Sequence, residues 1–252
     1  VTVTEMKLGF TGNVTETKTT HNRNFQDLVV YDFYSYDHML RLKSHLQSIG
    51  PWSVNNPGTM ITNNTYDELG QLKMKKAGGQ DIDYTYNVRG WLKMINNPAS
   101  LGNDLFAFKL NYNTKDIVAS TQLYNGNIAE THWKTANDGV LRSYSYKYDN
   151  LNRLERANYV SAVNTNKYTE GPISYDKNGN IMSLERWGLK SDRVTLDKID
   201  LLSYHYLPYS NRLEKVTDAA DPIAGFNNGT TGNGIDYRYD ANGNMMKDLN
   251  KN

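Results

Sequence analysis

The sequence predicts an all-β fold of tandem β-hairpins that join into one spiralling antiparallel sheet. Three observations support this prediction: a recurring word in which tyrosine precedes aspartate or asparagine, turn-forming residues after each copy, and side chains that alternate in size on either side. The composition agrees, because 19 tyrosines, 19 glycines and a mean hydropathy of -0.71 are typical of strands and tight turns rather than of apolar helices.

Each copy of the word places tyrosine at the end of one strand and an acidic or amide residue at the start of a turn. A weaker copy ends at Tyr112-Asn113, a copy that begins at Tyr124 keeps only the turn half, and a further copy, Tyr204-His-Tyr206, leads to Asn211-Arg212-Leu213. The residues assigned to this structural motif are Tyr36, Asp37, Tyr66, Asp67, Gly70, Tyr86, Asn87, Gly90, Tyr148, Asp149, Tyr175, Asp176, Gly179, Tyr239, Asp240 and Gly243.

Each part of the word has a physical role. In Tyr144-Ser-Tyr146-Lys-Tyr148 the rings fall on one face of a strand, because side chains alternate between the two faces. Aspartate and asparagine bond the main chain two residues further on, and glycine accepts a positive φ, so the chain reverses. The segment after the turn alternates again and can pair with the strand before it. An isolated hairpin is marginal in water, so successive hairpins are expected to stack into a twisted sheet that curls around a cavity.

The copies are unevenly spaced, which indicates a constant hairpin and connections of variable length. We predict a single array over 1–252, less regular over 1–140 and regular over 141–252. The segment Met39–Leu46 could form a short helix, but a Tyr-Asp word opens it and we assign a returning strand. The predicted loops, rich in Asn, Asp and Gly, are 97–104, 113–122, 133–141, 184–200 and 217–234.

Composition excludes several classes of partner. The chain has 28 Lys plus Arg against 27 Asp plus Glu, without a basic cluster, so nucleic acid is not expected to bind. Membrane insertion is not expected either, because no apolar run approaches the roughly 20 residues that a spanning helix needs. The absence of cysteine excludes disulfides and thiolate metal sites. The first residues lack the features of a signal peptide, so an exported protein would contain this chain as an internal piece.

Several stretches resemble the RHS/YD-repeat family of bacterial surface and toxin-carrying proteins: NTYDELGQLKMKK, YTYNVRGWLKMINNP, NDLFAFKLNYN and YRYDANGNMMKDLNKN. The resemblance covers most of 10–252. It implies a spiralling β-sheet cocoon in a secreted or cell-surface protein, with the chain as a structural shell segment that encloses or displays a C-terminal toxin or effector domain. The implied partners are flanking repeats, that C-terminal domain, and either glycans or a secretion-system component.

The family members that release their cargo carry a self-cleaving aspartyl motif at the end of the core. Asp221-Pro222-Ile-Ala-Gly225 has similar letters but not the spacing, and another repeat follows it. We therefore interpret this segment as a loop.

Catalytic and metal sites are not predicted, and no cofactor is expected. The two Asp-x-Asn-x-Asn words beginning at Asp176 and Asp240 look like the start of a calcium loop, but Trp187 and Lys251 occupy the twelfth position, where a chelating glutamate would be required. The histidines lack a ligand spacing, and no nucleophile elbow is present. A carboxylate pair cannot be recognised from sequence, yet the aspartates of the repeats already have turn roles. We expect a protein that is not an enzyme.

The main alternative function is a cell-surface adhesion or glycan-binding module that uses exposed aromatic side chains and loops. Trp133 and Trp187 precede predicted loops and are the proposed glycan contacts. Trp91 follows Gly90 inside a repeat, where packing between repeats is expected. Trp52 also lies outside the tyrosine ladder.

Overall fold

The computed structural model describes residues 1–24, 26–50, 53, 58–162, 167–227 and 234–251. The regular structure in these ranges consists of β-strands without a helix, which confirms the predicted all-β class. A helix long and apolar enough to cross a membrane is accordingly not found in them. Trp52 and the glycine-rich segment 229–232 lie outside the described residues.

The strands follow one another closely along the chain. Their bounds are β1 Thr2–Leu8, β2 Val14–Arg23, β3 Gln26–Tyr36, β4 Leu42–Ile49, β5 Thr59–Tyr66, β6 Leu72–Ala77, β7 Gln80–Tyr86, β8 Leu92–Ile95, β9 Phe106–Asn111, β10 Glu130–Thr135, β11 Arg142–Tyr148, β12 Leu154–Ser161, β13 Glu170–Tyr175, β14 Ile181–Leu189, β15 Leu196–Tyr206, β16 Leu213–Asp218, β17 Tyr237–Tyr239 and β18 Met245–Asp248.

Strand order in the sheet is the order of the chain. Strands β1 to β16 form one 16-stranded antiparallel sheet, and β17 pairs with β18 in a separate hairpin. This meander confirms the predicted tandem hairpins. The segment Met39–Leu46 enters β4, so the returning strand is confirmed and the helix is not formed. Within the 16-stranded sheet, every Tyr-Asp turn joins an odd-numbered strand to the next even-numbered one, and these turns therefore lie at the same end of their strands.

The prediction of a loop over 184–200 is wrong. Strand β14 continues to Leu189 and β15 begins at Leu196, with Trp187 paired to Lys198, so that only 190–195 connects the two strands. Glycine and aspartate suggested a loop, but Gly188 and Asp197 pair with each other across the two strands, and Lys198 forms an ion pair with Glu185 at 2.8 Å.

Two further loops were predicted to begin before the preceding strand ends, and two predicted loops are confirmed. Strand β10 extends to Thr135, so the loop predicted over 133–141 starts after that residue, and β16 extends to Asp218 in the loop predicted over 217–234. The segments 97–104 and 113–122 contain no strand.

The chain divides into two compact units. Unit 1 comprises Val1–Lys109 with Thr135–Gly139, and unit 2 comprises Leu110–Lys134 with Val140–Asn252. Among its described residues, unit 1 buries only Ala107 and Pro98 as apolar side chains. Unit 2 has a larger core. Its buried apolar side chains include Leu110, Ala129, Ala157, Tyr159, Ile173, Leu202 and Val216.

Candidate functional site

The turn after each tyrosine is built by the aspartate or asparagine that follows it. The Asp149 carboxylate accepts hydrogen bonds from the main-chain N–H groups of Leu151 at 2.8 Å and Arg153 at 2.9 Å. The main chain closes with Asp149 N–H donating to the Arg153 carbonyl, and Asn152 has a φ of 63°. A turn followed by one left-handed residue and a bulge is a common three-residue hairpin loop. The same side-chain bonds recur at Asp37, Asp67, Asn87, Asp176 and Asp240.

These bonds favour the ionised form of the turn carboxylates. The Arg153 main-chain N–H lowers the pKa of Asp149 below its usual range. The side-chain amide of Asn180 lowers the pKa of Asp176, and that of Asn244 lowers the pKa of Asp240. In both of these turns the carboxylate oxygens are bound by donors of the turn itself, which supports the interpretation as hairpin turns over calcium loops.

In most copies of the motif the tyrosine hydroxyl bonds the main chain just after the preceding turn. Tyr175 Oη donates to the Leu154 carbonyl at 2.7 Å, and Leu154 is the first residue of the preceding return strand, β12. The same bond joins Tyr36 to Val14, Tyr66 to Leu42, Tyr86 to Leu72, Tyr148 to Ile128, Tyr206 to Ile181 and Tyr239 to Leu213, with lengths from 2.7 to 3.0 Å. The sequence predicted an aromatic ladder but not this hydroxyl contact.

Some turns add a second tie through arginine. Arg153 Nε donates to Asp149 of its own turn at 2.6 Å, and its guanidinium lies 4.5 Å from the ring centre of Tyr175 in the next hairpin. Arg41 makes the equivalent contacts with Asp37 at 2.6 Å and with the Tyr66 ring at 4.4 Å. A cation over an aromatic face is attractive, so the arginine connects two turns.

Two acceptors of the tyrosine hydroxyls follow degenerate words that lack the Tyr-Asp pair. Val14 follows a turn closed by Gly9 and Asn13, and Ile128 follows the bend at Tyr124. Both acceptors follow Gly-Asn, in Gly12-Asn13-Val14 and Gly126-Asn127-Ile128, and the second belongs to the weaker copy of the motif at Tyr124.

The proposed glycan contacts lie inside strands. Trp133, in β10, is half-buried, stacks on Tyr144 with ring centres 5.7 Å apart, and is tilted against Tyr159 at 6.3 Å. Trp187, in β14, has the Lys198 ammonium 5.6 Å from its ring centre. These neighbours occupy aromatic surface that a sugar ring would need.

A polar groove of about 610 Å³ lies in unit 2, and the sequence did not indicate it. Asparagine amides and tyrosine rings provide much of its lining. The lining includes Asn125, Asn127, Tyr146, Tyr148, Asn150, Asn152 and Asn158. On one wall, Asn125 and Asn127 both donate to the side-chain oxygen of Asn152, at 2.6 and 3.2 Å.

A polar group, which we call the His132 cluster, consists of the buried Asn111, Glu130 and His132 and the exposed Asp116. Glu130 has no exposed surface, and its carboxylate accepts hydrogen bonds from the Asn111 amide at 2.7 Å and from the main-chain N–H groups of Asp116 and Ile117, both at 2.9 Å. Burial raises the pKa of Glu130, but these hydrogen bonds outweigh it and leave the pKa below its usual value. The cluster therefore holds a buried carboxylate that stays ionised.

His132 completes the cluster from the same strand as Glu130. Residues two apart share a strand face, and His132 Nε2 lies 3.0 Å from Glu130 Oε2 and 3.6 Å from Asp116 Oδ2. Its Nδ1 lies 2.7 Å from Ser143 Oγ on β11. Sequence reasoning missed this cluster, because its members approach only when the segment 112–129 folds back onto β10.

The described side chains thus provide a repeated junction between hairpins, an amide-rich groove and one buried group with the residue types of a metal site. The first recurs through both units, and the other two lie in unit 2. No protein-family model matches the chain, and no curated protein is significantly similar to it in sequence.

Proposed function

We propose that the chain is a wall segment of an RHS-type shell that encloses or displays a C-terminal toxin or effector domain of the same polypeptide. In this proposal it is secreted or lies on the surface of a bacterial cell, and it acts by its geometry rather than by catalysis. The observation that supports the proposal best is the recurring hydroxyl tie from a motif tyrosine to the main chain just after the preceding turn.

The tie matters because a sheet of hairpins alone is held mainly by ladder hydrogen bonds between neighbouring strands. A side-chain bond from each outgoing strand to the preceding return strand adds a second connection at every step. At their own turns, Arg41 and Arg153 add a third connection through the tyrosine ring of the next hairpin. Such a wall resists separation at the end of the strands where the Tyr-Asp turns lie.

Electron cryo-microscopy of the full-length polypeptide tests this proposal. A closed wall around additional protein density is the expected result, and the C-terminal domain should resist added protease until the wall is denatured. An open ribbon, or a C-terminal domain digested at the same rate with and without the intact sheet, contradicts enclosure.

Glycan binding is a second candidate function, and the amide-rich groove favours it. Sugar hydroxyls are recognised by amide donors and acceptors beside aromatic rings, and about 610 Å³ lies within the usual range for small-ligand sites. If the groove binds the glycan, the ligand contacts Asn150 and its neighbours rather than Trp133 or Trp187.

A glycan array followed by titration of the best ligand separates these locations. Asn150 is exposed, so Asn150→Ala should preserve the fold. Loss of binding in Asn150→Ala with retention in Trp187→Ala supports the groove, whereas the reverse supports the tryptophan site. An array without selective binding argues against the glycan function altogether.

A further inference from the structure

We propose that Asp116, Glu130 and His132 bind one divalent transition-metal ion, with zinc as the best match. Their donor atoms all lie within 4.8 Å of one another. The separations of 3.0 and 3.6 Å from His132 Nε2 to the two carboxylates bracket the spacing of about 3.4 Å between ligands of a tetrahedral zinc ion. The inference is independent of the shell function proposed above.

The chemistry of the donors selects the class of ion. One imidazole nitrogen with two carboxylate oxygens suits zinc and related transition metals, whereas calcium and magnesium prefer sites made of oxygen alone. Two carboxylates and a neutral imidazole carry two negative charges, which a divalent cation balances. Three protein ligands leave the fourth position of a tetrahedron for water.

The cluster around His132 resembles the surroundings of metal-bound histidines. The second ring nitrogen of such a histidine usually bonds a protein oxygen, which fixes the ring, and Nδ1 of His132 lies 2.7 Å from Ser143 Oγ. Both residues are buried and directly paired across β10 and β11. The imidazole is therefore already oriented with Nε2 towards the carboxylates.

Glu130 Oε2 already accepts hydrogen bonds from the Asn111 amide and the Asp116 N–H, so an entering ion shares this oxygen with them. The ion takes the place of the proton between His132 Nε2 and Glu130 Oε2, while Ile117 N–H keeps its bond to Glu130 Oε1. The Asn111 amide nitrogen lies 3.4 Å from Nε2 but cannot donate to it in either state, because the proton or the ion occupies that nitrogen; its acceptor is Glu130 Oε2. Asp116, whose side chain is 50% exposed, provides the route from solvent.

A purely structural cluster is the competing explanation, because Glu130 also anchors the loop through main-chain N–H groups. Asp116→Asn distinguishes the two. It removes a metal ligand but keeps the Asp116 N–H that bonds Glu130, and its side chain is exposed, so the fold should survive. His45→Gln is the matched control, since His45 contacts a single carboxylate, Asp32, at 2.7 Å in unit 1.

Isothermal titration of the metal-free chain with zinc chloride, and visible spectra with cobalt, test the proposal. We expect one zinc per chain with micromolar or tighter affinity, a cobalt d–d band, and a higher melting temperature with zinc. Asp116→Asn should weaken binding about tenfold or more, and His45→Gln should not change it. No stoichiometric binding, equal affinity for calcium, unchanged affinity in Asp116→Asn, or an equal loss in His45→Gln would each overturn the site.

Discussion

Tyrosine at the end of an outgoing strand contributes a ring to one sheet face and a donor to the neighbouring hairpin. Phenylalanine would supply the ring alone. The hydroxyls lie 2.7 to 3.0 Å from main-chain carbonyls, so each bond has normal geometry. The need for this donor explains why the repeated motif contains tyrosine rather than phenylalanine, of which the chain has only 6.

Tyr175→Phe should therefore lower the free energy of unfolding by about 1 kcal/mol, because the Leu154 carbonyl loses its donor while the ring contact remains. Urea unfolding followed by circular dichroism measures the change. Tyr209→Phe is the control, since Tyr209 is fully exposed at a turn. Equal losses in the two variants would show that the hydroxyl tie contributes nothing specific.

Leu40 occupies a position that other turns give to glycine. It has a φ of 61°, whereas Gly70, Gly90 and Gly179 have positive φ at the equivalent place. Leu40→Gly should stabilise the chain by about 0.5–1 kcal/mol, because the left-handed conformation costs leucine roughly 1–2 kcal/mol and part of this gain is offset by the greater freedom of unfolded glycine.

Thermal melts of Leu40→Gly beside Leu69→Gly check this expectation. Leu69 is also exposed in a Tyr-Asp turn but has no positive φ, so its replacement should be neutral or destabilising. A lower melting temperature for Leu40→Gly would contradict the assignment of strain to this residue.

At the scale of the element, several hairpin turns place glycine at their left-handed position. Gly179 has a φ of 91°, and a Cβ there would meet only Arg153 Nη1, at 4.0 Å. Space is therefore available and the backbone conformation is the obstacle. Gly179→Val should destabilise by roughly 1–3 kcal/mol, because a branched side chain resists this conformation.

Lys177→Val in the same turn is the control for Gly179→Val, because Lys177 is exposed and has no positive φ. Equal shifts of the denaturation midpoint in the two turn variants would argue against the turn assignment.

The turn carboxylates also make the fold sensitive to acid. The pKa values of Asp149, Asp176 and Asp240 are lowered by turn donors, so their contribution is complete above the unfolded value of about 3.9 and is lost as pH falls through the folded pKa. Urea midpoints should fall between about pH 5 and pH 2. Asp176→Asn should be less stable at neutral pH and show a shallower decline, and an unchanged decline would contradict this role.

At the scale of the whole molecule, the two units differ in how much they bury. Unit 2 contains apolar core residues such as Leu202 and Val216, while the described residues of unit 1 bury little beyond Ala107 and Pro98. Local opening is easier where few apolar contacts resist it. Hydrogen exchange should therefore be slower in β11, β12 and β15 than in β2, β3 and β4, as mass spectrometry of peptides can measure. Equal protection of the strands in the two units would contradict a difference between their apolar cores.

The hairpins could be predicted from sequence because they depend on local chemistry: a turn residue, a glycine and two alternating strands within about a dozen residues. The loop predicted over 184–200 was wrong because Gly188 and Asp197 are residue types typical of loops, whereas here they pair with each other across β14 and β15. The His132 cluster could not be found, since Asn111 and Glu130 lie far apart along the chain and meet only through the course of the intervening loop.

The location of every Tyr-Asp turn at the same end of its strands has a practical consequence for protein engineering. Hydroxyl ties restrain that end, so added residues there would break contacts with a neighbour. The opposite end carries connections as different as the tight Gly78-Gly79 turn and the longer segment 96–105. Epitope tags or reporter peptides should therefore be grafted between Gly78 and Gly79, where added length leaves the restrained end intact.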